Sequence, residues 1–240
     1  MEKDQLNPSP RRKFLGTLAT GAAALGLMSF KPPISLSKTS SLATVANGSP
    51  DPKDAEAWFN NVKGKHRIVY DVTGPKEGHE LIMPFAWSKI FILTNGATGS
   101  KEDDCGVVMI LRHNGIPFAM EDRLWKKYKF GEMFNIKDPA NGAASERNMM
   151  WKPKPAFEVP GVGPVPIGID ELQASGVMFC VCDMALTVFS AVVAGNMKMN
   201  KDDVKKDWLS GLLPGVQVVP SGVWAVGRAQ EHKCAYCFAG

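Results

Sequence analysis

The sequence predicts one α/β domain: a three-layer α/β/α arrangement around a mostly parallel, five-stranded sheet. Three observations carry that expectation. Five short apolar runs recur along the chain, each bounded by Gly, Pro, Asn, Asp or charged residues. Stretches with helical spacing of apolar residues separate most of them, and strands alternating with helices build parallel sheets. No internal repeat is present, and 240 residues are ample for one large core.

Taken in order, Asp54–Asn60 reads as a short amphipathic lead-in helix, and His66–Val72 as the first strand, ended by Thr73-Gly74-Pro75. His79–Asn95 has Leu81, Ile82, Phe85, Ala86, Ile90, Phe91 and Leu93 spaced for one buried helical face, with Pro84 tolerable only in the first turn. Gly106–Arg112 is the second strand, ended by the turn His113-Asn114-Gly115, and Asp122–Tyr128 is a helix with Leu124, Trp125 and Tyr128 inward. From Gly131 to Gly168 prolines and glycines break the pattern, which marks a long loop of functional or inserted character. Ile169–Ser175 is a short helix that Gly176 stops, and Val177–Val181 is a continuous apolar run typical of a strand buried on both faces. Asp183 is a candidate cap for the helix Met184–Ala194, and Asn200–Leu209 carries the capping pattern of a more exposed one. Val216–Val219 is the fourth strand, Val223–Glu231 a helix with Val223, Val226 and Ala229 on one face, and Cys234–Phe238 a last strand at the very terminus, open to an edge position in either direction.

The first forty-six residues read as an address and a linker, leaving 47–240 as the domain. Arg11-Arg12 precedes Phe14-Leu15 and a weakly apolar, Ala- and Gly-rich run to Phe30. That is the layout of a twin-arginine leader, and the run is shorter than the ~20 residues of a membrane span. The protein is therefore expected in the periplasm, with no stable membrane span once the leader is removed. Residues 1–46 hold six Lys/Arg and two acids, so the net +4 of the chain lies there and the remainder balances 22 against 22. A neutral domain lacks the electrostatic footprint of a nucleic-acid binder.

In a parallel sheet every strand ends on one edge, and ligands bind along it. Thr73, Gly74, Arg112, His113, Asn114, Cys182, Asp183, Ser221 and Gly222 are expected there. Cys182 ends a strand just before a helix, whose positive end favours thiolate. Arg112 or a protonated His113 would favour it further, and His113 could also carry protons. A cysteine here can equally be space-filling, His113 a turn residue and Arg112 a surface ion pair. His232-Lys-Cys234-Ala-Tyr-Cys237 offers His232, Cys234 and Cys237 as metal-ligand candidates. On a strand the two cysteines lie about 10 Å apart on opposite faces, and no second Cys-x-x-Cys completes a four-sulfur set.

The order of these pieces resembles the DsrE/DsrF-like family. The resemblance lies in the strand ending Val181-Cys182 before a helix, in Leu111–Ala119, in Leu212–Gly222, and in Gly227–Glu231 before a final strand. It runs from about His66 to Phe238 and is weakest over 131–168. It implies the three-layer fold, homo- or hetero-oligomers, and a part in sulfur relay with a sulfur donor or acceptor protein as partner. It also implies persulfide on the cysteine at this strand's end, here Cys182, no cofactor, and an activity that is sulfurtransferase-like at most. Cys180, Cys234 and Cys237 depart from the family's single-cysteine pattern.

Three functions stand on these observations. A sulfur carrier needs Cys182 accessible and thiolate-like. A non-catalytic periplasmic module binding a metal or small ligand needs His232, Cys234 and Cys237 convergent with another ligand. A catalytically silent, oligomerising domain is favoured if Cys182 is buried and the edge is filled. No phosphate loop, dinucleotide fingerprint, nucleophile elbow or metalloprotease helix is present.

Overall fold

The computed structural model describes residues 51–74, 82–159 and 161–239, all within one compact unit. The expected leader and linker, and the start of the helix placed at His79, lie outside them. Helices α1 (Pro52–Phe59), α2 (Met83–Ala97), α3 (Asp122–Tyr128), α4 (Phe130–Met133), α5 (Ile169–Ala174), α6 (Asp183–Met197), α7 (Lys201–Ser210) and α8 (Gly222–Glu231) surround the strands. Strands β1 (His66–Val72), β2 (Cys105–Leu111), β5 (Met178–Cys182), β6 (Val216–Val219) and β7 (Ala235–Phe238) form one sheet in the order β6-β5-β2-β1-β7. Every pairing in it is parallel, β7 included. A small antiparallel pair, β3 (Glu158–Val159) with β4 (Gly163–Pro164), lies in the 131–168 segment. That segment is anchored by buried Ile136, Met149, Met150, Val165 and Ile167.

The chain steps from β1 to β2, β5 and β6 in one direction, then returns through α8 to β7 beyond β1. Right-handed crossovers put connections in one direction on one face and the returning one on the other. Accordingly α1 and α8 cover one face through Phe59, Ala225 and Ala229 against Val69, Val108, Ile110 and Cys180. Helices α2–α7 contribute to the larger core on the other face, with Trp125, Phe130 and Trp208 at full burial. Pro84 lies in the first turn of α2, where its missing N–H costs no hydrogen bond.

Two local expectations are corrected. The capping side chain of α6 is Cys182, whose Sγ accepts from the Ala185 N–H at 3.3 Å, and Asp183 is the first helical residue. The buried face of α8 is Gly222, Ala225 and Ala229, while Val223 is 70% exposed. Small residues let this helix approach the sheet, and that outweighs the apolar spacing of the valines.

Helix α7 is pinned to α3 by Asp207, which takes Arg123 Nη1 at 2.5 Å, Tyr128 Oη at 2.6 Å and Lys127 Nζ at 2.7 Å. Burial would raise this carboxyl, but the hydrogen bonds from Lys127, Tyr128 and Arg123 prevail and hold it well below the usual carboxylate range. A lowered folded pKa gives stability that is present above the unfolded value, near 3.9, and lost as pH falls through the folded one. Asp207→Asn should therefore cost about 1 kcal/mol at pH 7, allowing for solvent screening. In urea unfolding the gap to wild type should close as the pH drops below about 4; a gap independent of pH would contradict this role.

Candidate functional site

The connection leaving β5 goes to the α6 face and the one leaving its neighbour β6 goes to the α8 face. Adjacent strands whose exits part in this way leave a crevice at the carboxyl edge. Cys182, the last residue of β5, is in register with Val219, the last of β6, and so stands at that crevice. Its sulfur is bonded to a backbone N–H in the first turn of α6, where the helix dipole favours negative charge. The residue is 6% exposed.

Arg112 follows β2, the strand on the other side of β5. Its backbone N–H bonds Val72 O, continuing the β1–β2 ladder past its last paired residues. The side chain lies on the first residue of α8: a Cβ at Gly222 would sit 2.5 Å from Arg112 Cδ and 2.6 Å from its Cβ. Its guanidinium forks onto Asp71, Nε to Oδ1 at 2.5 Å and Nη2 to Oδ2 at 2.7 Å. Tyr236 donates its hydroxyl to Asp71 Oδ2 at 2.9 Å. The Asp71 hydrogen bond is the first cause that raises Arg112 further above its already high pKa; burial opposes it, and the charges of Asp71, Tyr236 and Cys182 add to it.

His113 sits in the left-handed region, φ +50°, and is exposed. Its Nδ1 lies 3.0 Å from Arg112 Nη1. Arginine only donates, so Nδ1 accepts and the ring proton of this bond's tautomer is on Nε2. The fixed positive charge at the edge is therefore Arg112, whose Nη1 is directed at the His113 ring. The Ser221 hydroxyl is engaged as the cap of α8, accepting from Trp224 N–H at 3.1 Å.

Asp71 and Tyr236 were not among the sequence-derived candidates, nor was Lys205. Lys205, on α7, places Nζ 2.9 Å from Asp183 Oδ1 and 3.0 Å from Oδ2. The carboxylate adjoining the cysteine is therefore offset by a lysine rather than by capping the helix.

The other four thiols stand in surroundings that favour the protonated form. Burial pushes Cys180 strongly up, with the neighbouring Cys182 adding to it. Burial also raises Cys105, helped by Asp104 and Glu102; it raises Cys234 against the pull of Arg67, and it raises Cys237. His232, Cys234 and Cys237 do not gather. The His232 ring stacks on Phe59, Cys234 is buried in the α1/α8 core, and Cys237 packs against the opposite core. Among the described residues no group of three or more His, Cys, Asp or Glu could hold a metal ion.

Fold and site together define a three-layer α/β/α domain with a thiol at the carboxyl edge of a parallel sheet. No family model matches the chain, and neither does any curated protein. Among solved structures it is similar to the protein of unknown function MTH1491 from Methanobacterium thermoautotrophicum, at 18% identity over 72% of this chain and 98% of that one, with a TM-score of 0.31. Among the described residues no helix is long and apolar enough to cross a membrane.

Proposed function

We propose that this protein is an exported sulfur carrier of the DsrE-like kind, with Cys182 as the thiol that holds sulfur. The observation that carries the reading is the placement of Cys182: the last residue of β5, where the exits of β5 and β6 part, capping α6 through its sulfur, with Arg112 following the neighbouring strand β2. The Cys182 thiolate attacks the outer sulfur of a donor persulfide. A new S–S bond forms at Cys182, the donor's S–S bond breaks, and the donor leaves as its thiolate and takes up a proton. There is no net oxidation, and no cofactor is needed. The N–H of Ala185 and the charge of Arg112 stabilise the anionic sulfur before and after transfer. The donor or the acceptor of that sulfur is another protein, so the activity is at most sulfurtransferase-like. The leader features at Arg11-Arg12 support a periplasmic setting for this relay.

The burial of Cys182 favours a second reading, a silent domain that acts by self-association. Met184, Val188 and Val192 form an exposed apolar stripe on α6 that a second copy would cover. One preparation separates the two. Protein recovered from its native export route should lie in the periplasmic fraction, stay out of it when Arg11 and Arg12 are both changed to Lys, and carry one extra sulfur that reduction removes. A periplasmic homo-oligomer with no sulfur on any cysteine, even after incubation with a persulfide donor, would replace the first reading by the second.

A further inference from the structure

We infer that Lys205 is a positioning residue for the thiol site, acting through Asp183; the inference rests on Cys182 being the reactive thiol. Asp183 adjoins Cys182 in the chain and begins α6, and its side chain is only 11% exposed. A carboxylate next to a thiol opposes formation of the thiolate, and a buried carboxylate needs a partner. Lys205 is that partner. Its Nζ donates to Oδ2 at 3.0 Å and stands 2.9 Å from Oδ1 as an ion pair, and its side chain is 14% exposed. Lys201 and Lys206 on the same helix face solvent. The hairpin fixes the pair: Lys198 ends α6 in the left-handed conformation, and Asn200 caps α7 by accepting from the N–H groups of Asp202 and Asp203.

Two ion pairs stand at this edge. Arg112 is matched by Asp71, with Tyr236 and His113 on the same network, and Asp183 is matched by Lys205. Cys180, two residues back on the strand, is held protonated by burial. Removing Lys205 takes away a positive charge held 2.9 Å from the carboxylate that adjoins the thiol.

The test is the rate of Cys182 alkylation by iodoacetamide in the whole folded protein, read by fragment-ion mass spectrometry that separates Cys182 from Cys180 on their shared peptide, across a pH series. Lys205→Met should slow alkylation at pH 7 about tenfold and displace the pH–rate profile to higher pH. Lys205→Arg should keep the wild-type profile, and Asp183→Asn combined with Lys205→Met should restore it. Asp183→Asn alone removes the negative charge that adjoins the thiol and should move the profile the other way, a readout that survives if Lys205→Met does not fold. A wild-type profile in Lys205→Met, a double variant that stays slow, or an unmoved Asp183→Asn profile overturns the inference. Failure of Cys182 to react at any pH in the wild-type protein overturns the sulfur-carrier reading itself.

Discussion

Arg112→Met should cost about 3–5 kcal/mol of folding stability, the penalty for stranding a buried charge by removing its partner. Asp71 is the buried charge: its side chain is 2% exposed, and it receives two hydrogen bonds from the guanidinium and one from Tyr236. Methionine keeps much of the stem that lies on Gly222 but supplies no donor. The carboxylate would be left with a single hydroxyl in a layer otherwise closed by β1, β2 and α8. Adding Asp71→Asn to Arg112→Met removes the stranded charge and should recover more than half of the loss, the signature of coupled rather than additive sites. Equilibrium urea unfolding of the four proteins measures this. A loss near 1 kcal/mol, as for an exposed ion pair, would show that the pair is not what closes this edge.

Cys182→Ser should abolish sulfur acceptance from a persulfide donor, because a serine hydroxyl is neither thiolate-like at neutral pH nor able to form the S–S bond. Cys180→Ala should leave acceptance within about twofold of wild type, since a thiol held protonated by full burial contributes no nucleophile. Arg112→Met, in the fraction that folds, should slow acceptance without abolishing it, because the Ala185 N–H still bonds the sulfur. Transfer rates at fixed donor concentration distinguish these outcomes.

The residues along the edge were legible in the sequence to different depths. Val177–Val181 is a short, continuous apolar run typical of a buried strand and closed off by Gly176, so the position of Cys182 followed from local pattern alone. The partners of that residue did not. Asp71 becomes the counter-ion of Arg112 only through the β1–β2 register, which no local pattern encodes. Its one signal was a lone acid within Ile68-Val-Tyr-Asp-Val72, since an acid in a buried strand has to be paired. Lys205 resembles Lys201 and Lys206 in sequence, and only the packing of α7 against α6 turns it inward. Val223 misled because helical spacing does not reveal how closely a helix lies to the sheet; α8 comes close enough to bury Gly222, Ala225 and Ala229 instead. The direction of β7 likewise depended on a distant strand, β1, with which it pairs in parallel.

The central claim is that Cys182, of five cysteines, is the one that carries sulfur. Its most direct test is mass analysis of the intact protein and its cysteine peptides after incubation with a persulfide donor, without reductant. The account predicts the added mass of one sulfur atom, confined to the peptide that contains Cys182, lost on reduction and absent from Cys182→Ser. Sulfur on the peptide of Cys234 and Cys237, persisting in Cys182→Ser, would contradict it.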